Sequence, residues 1–177
     1  FLGHAWCPHW FHVAHLNTNS GKMSKSKGEF LTVSLLEQKG YDPMAYRLFC
    51  LQSHYRKNLV FTWENLDNAV VAYNKLIAKI ATFKNEGEVD QAVFEQLKGR
   101  FLKALEGDLN TSVAVTALYD VLKAKCNDTT KLAAIADFDT VLSLNLLQAA
   151  EALRKKEAEE AAASADPEID ALVAART

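Results

Sequence analysis

The sequence is poor in the residues that break or cross-link a polypeptide. Among its 177 residues are 3 prolines, 7 glycines and 3 cysteines. So little proline and glycine leaves little room for extended disorder. The cysteines, Cys7, Cys50 and Cys126, are odd in number and far apart in the sequence. This pattern argues against a disulfide framework and favours a reducing compartment.

Long apolar runs are also missing. The longest apolar stretch falls well short of the roughly 20 residues that cross a membrane, and no signal-peptide pattern opens the chain. The hydrophobic content of 49% is nevertheless enough to bury a core in a chain of this length. These features predict a soluble, cytoplasmic protein without a membrane partner.

The formal net charge is only −2, but the charge is unevenly distributed. Residues 1–60 carry seven lysines and arginines against three acidic residues, a net charge of +4, so the remaining residues carry −6. Phosphate neutralisation dominates nucleic-acid affinity and needs no base recognition. The acidic helical part is therefore predicted to bind RNA poorly alone.

The secondary-structure signals predict a mainly α protein that begins with a small hairpin. Aromatic and β-branched residues at positions 10–17 favour an extended segment, and the turn-forming residues up to Gly21 favour a short hairpin. A helix is then predicted to open at Thr32 and to end at Gly40. The next helix begins at Pro43 and has Asp42 as its cap.

Helical periodicity continues through most of the remaining sequence. Apolar residues recur at three- and four-residue spacing in four segments, which begin near Thr62, Asp90, Thr111 or Ser112, and Thr129. Four amphipathic helices joined by short turns predict an up-and-down bundle. The stretch at residues 149–163 is rich in alanine, glutamate and lysine, which predicts an exposed helix or linker.

The most specific motif is Lys-Met-Ser-Lys-Ser at residues 22–26, between Gly21 and Gly28. Two lysines three residues apart, with small hydroxyl side chains beside them, suit a loop that neutralises polyphosphate charge. The glycines allow such a loop to open and close. A solvated lysine-serine loop is the alternative interpretation. The motif resembles the second signature of class I aminoacyl-tRNA synthetases.

The surrounding segments resemble one family within that class. Residues 10–16, Trp-Phe-His-Val-Ala-His-Leu, lie just before the loop and Phe-Leu-Thr-Val at residues 30–33 follows it, as at the end of a cysteinyl-tRNA synthetase catalytic domain. Ser-His-Tyr-Arg at residues 53–56 continues the resemblance, and Gly-Asp-Leu-Asn-Thr at residues 107–111 resembles a turn in that family's helical domain. The similarity runs from about Trp10 to Leu144.

The resemblance implies a ligase that activates cysteine with ATP and magnesium and then transfers the cysteine to tRNA. In that family the loop closes over ATP, and its lysines stabilise the charge of the leaving pyrophosphate. The implied catalytic residues are therefore Lys22 and Lys25. The implied ATP-binding residues are Lys22, Met23, Ser24, Lys25, Ser26 and His12. Zinc is expected in the intact enzyme, with ligands outside this chain.

The same resemblance places contacts with the acceptor stem of tRNA after the loop. Four basic side chains are candidates for contacts with the tRNA phosphates: Lys39, Arg47, Arg56 and Lys57. For each of them singly, a solvated surface charge is the alternative interpretation.

The resemblance also predicts four parts of the chain. Residues 1–30 form the C-terminal edge of a catalytic domain with the loop, and residues 31–62 form the stem-contact helices. Residues 63–147 form the helical bundle on the anticodon side. Residues 148–177 form a helical linker and the start of a C-terminal element.

The chain also departs from the family pattern. It has no His-x-Gly-His signature and begins at Phe1, so we expect a C-terminal fragment that is inactive alone. Ala14 and Leu109 replace the glycine and phenylalanine usual in the family. Two alternatives remain open. One is a related class I ligase that joins cysteine to an amino sugar, and the other is a non-catalytic helical module that binds tRNA or protein.

Three further features favour structural interpretations over chemical ones. Four histidines and Cys7 crowd residues 4–15, but structural zinc sites pair two short clusters and only one exists here, so no metal site is predicted. Cys50 lies among apolar residues and is predicted to be a small buried hydrophobe. Trp63 is predicted to be a core or domain-interface residue.

Overall fold

A computed structural model describes residues 3–4, 6–7, 9–18, 21–22 and 32–164. The described residues form seven helices and three short strands, in the order β1, β2, α1, α2, β3, α3, α4, α5, α6, α7. The prediction of a mainly α protein with a small hairpin at its beginning is confirmed.

The three strands form one small sheet in the order β2-β1-β3. Strand β1 (Leu16–Thr18) pairs antiparallel with β2 (Gly21–Lys22), which is the predicted hairpin. Strand β3 (Leu59–Phe61) pairs with β1 in parallel. The predicted extended segment is shorter than expected, because the strand begins only at Leu16 and residues 9–15 are irregular. Strand β3 is not predicted by the sequence, since three residues give almost no periodic signal.

The two short helices begin where their capping residues predict. Helix α1 (Val33–Gln38) has Thr32 as its N-cap, whose side chain accepts a hydrogen bond from the backbone N–H of Leu35. Helix α2 (Pro43–Leu51) has Asp42 as its N-cap. Between the helices Gly40 has φ +83°, a left-handed conformation that glycine adopts without steric cost.

Five longer helices follow: α3 (Trp63–Ala81), α4 (Gln91–Glu106), α5 (Thr111–Lys123), α6 (Asp128–Leu142) and α7 (Leu146–Ser164). Thr62 and Asp90 accept hydrogen bonds from backbone N–H groups in the first turns of α3 and α4, so both predicted starts are confirmed. The predicted start of α6 is shifted by one residue. Its N-cap is Asn127, whose side chain accepts from the N–H of Thr130.

Backbone contacts divide the chain into two compact units. The first unit comprises Phe1–Val71 and Gly99–Ala117, and the second comprises Ala72–Lys98 and Leu118–Thr177. The buried cluster of the first unit contains Leu36, Phe49, Phe61, Leu66 and Ala69, against which Leu16, Tyr41, Tyr46, Cys50 and Leu59 pack. Cys50 is therefore half-buried among apolar side chains, and this burial raises the pKa of its thiol.

The second unit buries the apolar faces of its helices and satisfies its polar groups internally. Its fully buried side chains include Leu76, Ile80, Ile135, Phe138 and Leu142. The hydroxyl of Tyr73 donates to the backbone carbonyl of Leu144 at 2.7 Å. The carboxylate of Asp139 accepts from the backbone N–H groups of Leu144 and Leu146 and so caps the start of α7.

Helix α7 is less exposed at its beginning than the alanine-rich composition predicts. It starts at Leu146, which is buried, as is Ala150 one turn later. Arg154 donates three hydrogen bonds to the carbonyls of Ile80, Ala81 and Phe83 at the end of α3. From Lys155 to Ala162 the side chains are exposed, as predicted. The composition therefore predicted the exposed end of this helix correctly but missed its anchored beginning.

Candidate functional site

The Lys-Met-Ser-Lys-Ser motif begins on an edge strand of the small sheet. Lys22 is the last residue of β2, and its Cα pairs with that of Asn17 on β1. The remaining motif residues lie outside the described residues: Met23, Ser24, Lys25 and Ser26. The roles given to these residues and to the Lys22 side chain therefore stay predictions.

Both flanks of the motif lead into the core of the first unit. Leu16 lies on β1, which pairs with the strand that enters the motif, and Thr32 caps the helix that follows it. Leu16 and Thr32 line one small cavity of about 60 Å³, together with Phe61 and Tyr46. The described residues on the two sides of the motif thus contact the same core. Burial beside this cavity raises the pKa of Tyr46 to about 12, so its hydroxyl stays protonated at physiological pH.

The segment before the hairpin carries an exposed aromatic surface. His12 is exposed, and its ring stacks on that of Trp10 with centroids 6.3 Å apart and planes inclined by 18°. Trp10, which is 67% exposed, meets Trp6 edge to face with centroids 5.4 Å apart. Such a surface can stack against a flat ligand. The predicted ATP contact of His12 remains a prediction.

Tyr55 connects this segment to the loop between α2 and β3. The rings of Phe11 and Tyr55 stack with centroids 4.4 Å apart. The backbone N–H of Ala14 donates to the carbonyl of Tyr55 at 2.8 Å. One stacking contact and one backbone hydrogen bond therefore hold residues 11–14 against the loop that contains Arg56 and Lys57.

Asp108 fixes the same loop from the other side. It lies in the turn between α4 and α5 and has φ +63°, a conformation that Asp tolerates better than most residues. Its carboxylate accepts hydrogen bonds from the Tyr55 hydroxyl at 2.6 Å and from Arg56 Nη2 at 3.2 Å, and Arg56 Nε lies 2.8 Å from its second oxygen. The single hydrogen of Arg56 Nε is donated to the Tyr55 hydroxyl at 2.8 Å. The turn and the loop are thus joined by an ion pair and a phenol–carboxylate hydrogen bond.

His54 adds a contact whose direction is set by its neighbours. The backbone N–H of Arg56 donates to Nδ1 of His54 at 3.2 Å, so Nδ1 is the acceptor in the neutral ring. Nε2 then carries the hydrogen and donates to the backbone carbonyl of Asp108 at 3.1 Å. Thr111 completes the connection, because its hydroxyl donates to the carbonyl of Ser53 at 3.3 Å.

These contacts change the acidity of the paired groups. The hydrogen bond from Tyr55, and then the hydrogen bond and charge of Arg56, hold the pKa of Asp108 below its ordinary value. The hydrogen bonds to Tyr55 and Asp108 raise the pKa of Arg56. Both groups are therefore charged at neutral pH, and the charge of Arg56 is largely offset by its partner.

The other three predicted tRNA contacts lie in different settings. Lys39 is the C-cap of α1, and its ammonium lies 5.2 Å from the ring centroid of Trp63, a cation–π distance. Arg47 is exposed on α2, and Lys57 is exposed in the loop between α2 and β3. Trp63 is 39% exposed, so it is not the core residue that one interpretation of the sequence predicted.

Metal ligands are a separate question, since a histidine cluster occupies the beginning of the chain. Within residues 3–4, 6–7, 9–18, 21–22 and 32–164, no group of three or more His, Cys, Asp or Glu side chains is placed to hold a metal ion. Cys7 donates its S–H to the carbonyl of His9, which is a local turn contact. The described side chains therefore form no zinc site of three or more such ligands.

Comparison with known proteins extends the similarity beyond the motif. Residues 1–71 match the family described as the class I (C) tRNA synthetase catalytic domain. A cysteine–tRNA ligase from Novosphingobium aromaticivorans is 44% identical over 144 residues, covering 78% of this chain. The chain belongs to the cysteinyl-tRNA synthetase family. The family resemblance read from the sequence is thus confirmed.

Two more relatives in the cysteinyl-tRNA synthetase family support the assignment. Cysteine–tRNA ligase 1 from Burkholderia lata is 37% identical over 139 residues, which cover 78% of this chain. A cysteine–tRNA ligase from Borrelia garinii subsp. bavariensis is 31% identical over 171 residues, which cover 89% of it. The matched regions cover 29%, 29% and 35% of the three relatives, so the chain spans about a third of their length.

The contacts that position the neighbours of the motif are not predicted by the sequence. Residues 107–111 resemble a turn of the family, but the sequence does not indicate that Asp108 contacts three consecutive residues of the predicted tRNA-binding loop. The available signal was the pairing of an isolated Ser-His-Tyr-Arg segment with an acidic turn motif.

Among the described residues, no helix is long and apolar enough to cross a membrane.

Proposed function

We propose that this chain supplies the phosphate loop and tRNA-contacting helices of a cysteine–tRNA ligase. The reaction is activation of cysteine by ATP followed by transfer of the cysteine to the terminal ribose of tRNA. The observation that carries the proposal is the Lys-Met-Ser-Lys-Ser motif, whose first residue is the last residue of the hairpin, in a chain 44% identical to a cysteine–tRNA ligase over 144 residues. Cytoplasmic location is part of the same proposal.

The loop lysines act on the charge that develops during activation. When the cysteine carboxylate attacks the α-phosphate of ATP, the bond to pyrophosphate breaks and negative charge moves to the leaving group. Lys25, with Lys22 as its partner, stabilises that charge, while Ser24 and Ser26 donate hydrogen bonds to phosphate oxygens. An interaction of this kind strengthens in the transition state, so it accelerates activation more than it tightens substrate binding.

Lys25→Ala in the full-length ligase tests this role. We expect a rate of cysteine-dependent pyrophosphate–ATP exchange lower by about 10²- to 10³-fold, with little change in the KM for cysteine. Lys27→Ala is the matched control, because it removes the same charge from the same loop outside the five-residue motif. An equal loss in both variants, or none in Lys25→Ala, contradicts the role.

The 177-residue chain alone is expected to be inactive in the same exchange assay, because the family's His-x-Gly-His signature does not occur in it. Exchange catalysed by the purified chain refutes this expectation. Charging of tRNA by the full-length ligase separates the proposal from a cysteine–amino-sugar ligase, which would use cysteine and ATP but leave tRNA uncharged.

We propose that the basic side chains of the first unit contact the tRNA. Their partners within the chain indicate how strongly each should contribute to tRNA binding. The Lys57 ammonium has no hydrogen-bond or ion-pair partner within the described part of the chain, whereas Arg56 is paired with Asp108. Lys57→Ala should therefore weaken tRNA binding more than Arg56→Ala and reduce the salt dependence of the binding constant by about one phosphate contact. Lys156→Ala, an exposed lysine on α7, is the control. Equal affinities for all three variants contradict this ranking.

A further inference from the structure

A cleft in the first unit has a lining that differs from that of the cavity near the loop. Its volume is about 330 Å³, and its lining residues are Phe49, Gln52, Ser53, Leu59, Asn65, Asn68 and Ala69. Phe49 and Ala69 are buried, while Gln52, Asn65 and Asn68 are exposed. The cleft therefore has an apolar base and a rim of neutral hydrogen-bonding side chains, and none of its lining residues is charged.

The local contacts of Asn65 fix which of its atoms is available. Its Nδ2 donates to the carbonyl of Val60 at 3.3 Å, and a carbonyl can only accept, so the amide nitrogen must point that way. Its backbone N–H donates to the side chain of Thr62 at 3.0 Å, which holds the residue at the start of α3. The Oδ1 atom of Asn65 is consequently left as an oriented acceptor.

The other rim groups are not used by the fold. The side-chain amides of Gln52 and Asn68 and the hydroxyl of Ser53 have no hydrogen-bond partner among the residues the structure describes. The Ser53 backbone is nevertheless held in place, since its carbonyl accepts from Thr111. Two uncommitted amides and one hydroxyl offer both donors and acceptors around a base of buried carbon.

We propose that this cleft binds an unpaired nucleobase of tRNA, an inference that rests on the proposed function. A nucleobase is flat, uncharged and edged with donors and acceptors, which Asn and Gln side chains match. A phosphate or carboxylate would enter without any cationic partner in the cleft. Gln52 and Ser53 also lie in the same loop between α2 and β3 as Arg56 and Lys57, so the backbone of the same RNA strand can pass along basic side chains. That adjacency favours RNA over a peptide.

Binding of a cysteine tRNA transcript to the 177-residue chain tests the inference when affinity is measured over a range of salt concentrations. We expect Asn68→Ala and Gln52→Ala each to weaken binding by about three- to tenfold, the effect of losing one or two neutral hydrogen bonds. The slope of log affinity against log salt should not change, because no phosphate contact is lost. Asn74→Ala is the matched control, since Asn74 is exposed on the same helix α3 but does not line the cleft.

A second experiment identifies which base of the tRNA occupies the cleft. In a series of transcripts that each lack one unpaired base, a single position should abolish the effect of Asn68→Ala, because the two changes remove the same contact. Unchanged affinity in both cleft variants, a reduced salt slope or the absence of any such position overturns the cleft inference while leaving tRNA binding intact. Failure of the unmodified chain to bind the transcript overturns the proposed tRNA contacts, and the cleft inference with them.

Discussion

The hydroxyl of Tyr55 donates a 2.6 Å hydrogen bond to the carboxylate of Asp108, which lies 53 residues further along the chain. This contact joins the loop after α2 to the turn after α4. Because Tyr55 also stacks on Phe11, it connects the aromatic segment before the phosphate loop to that turn. The position of the predicted tRNA-binding loop therefore depends on a residue outside the catalytic-domain match of residues 1–71.

Replacement of Asp108 should loosen this connection in two steps. Asp108→Asn keeps an acceptor for Tyr55 and tolerates the positive φ, but it loses the ion pair with Arg56, so we expect a small decrease in Tm. Asp108→Ala removes every acceptor on that side chain and should decrease Tm further. Asp120→Asn, an exposed change on α5, is the control. Identical melting temperatures for both Asp108 variants and the control would show that the Asp108 side chain does not stabilise the fold.

The same pair makes a pH-dependent contribution to stability. The pKa of Asp108 is lower in the folded state than its ordinary value of 3.8, so the folded state prefers the charged form. Its contribution is therefore fully present above about pH 3.8 and is lost as the pH falls through the lower folded-state pKa. We expect the difference in unfolding free energy between the unmodified chain and Asp108→Asn to be largest near neutral pH and to close in acid. A difference that widens in acid would reverse the sign of this expectation.

Tyr73→Phe should destabilise the second unit. The change removes the buried hydrogen bond to Leu144 and leaves that carbonyl without its partner, which costs about 1–3 kcal/mol. Tyr119→Phe is the matched control, because Tyr119 is half-buried and its hydroxyl has no hydrogen-bond partner in the described ranges. Urea unfolding of both variants measures the difference. If the two variants unfold at one midpoint, the Tyr73 hydroxyl contributes nothing.

Thr130→Val should also be destabilising, although it preserves the shape of the side chain. The Thr130 hydroxyl is buried, accepts from the backbone N–H of Asp90 at 2.8 Å and donates to the side chain of Asn127 at 2.6 Å. Loss of both bonds inside the unit should cost about 1–3 kcal/mol in unfolding free energy. Thr140→Val, an exposed change on the same helix α6, should cost less than about 0.5 kcal/mol. Comparable losses in the two variants would show that burial of the hydroxyl is irrelevant.

Helix boundaries were the structural feature that sequence predicted best. Thr32, Asp42, Thr62 and Asp90 all bond to backbone N–H groups within three residues of themselves, so their role is visible in a short window of sequence. The prediction was less exact at α6, which was expected to begin near Thr129 but begins at Asp128 with Asn127 as its cap. Thr129 instead donates to the carbonyl of Glu86, a partner that no local pattern indicates.

The sequence likewise predicted the local features of the candidate site but not the contacts between distant residues. The phosphate motif and the basic residues after it could be identified from the sequence, and the family assignment followed from them. The pairing of Arg56 with Asp108 could not, and it changes which basic residue is expected to contact tRNA most strongly. The cleft lined by Gln52 and Asn68 could not be predicted either, because its lining residues come from α2, the loop after α2, β3 and α3.

The sequence by itself determined the helical content, the hairpin that enters the motif, and the chemistry of the loop. These features depend on periodicity, capping and side-chain type, which act over a few residues. Only the tertiary structure decided the parallel pairing of β3 with β1, the anchoring of α7 through Arg154, and the contacts of Asp108. Each of these joins residues more than 40 positions apart, and such pairings are selected by the packing of the folded chain rather than by local preference.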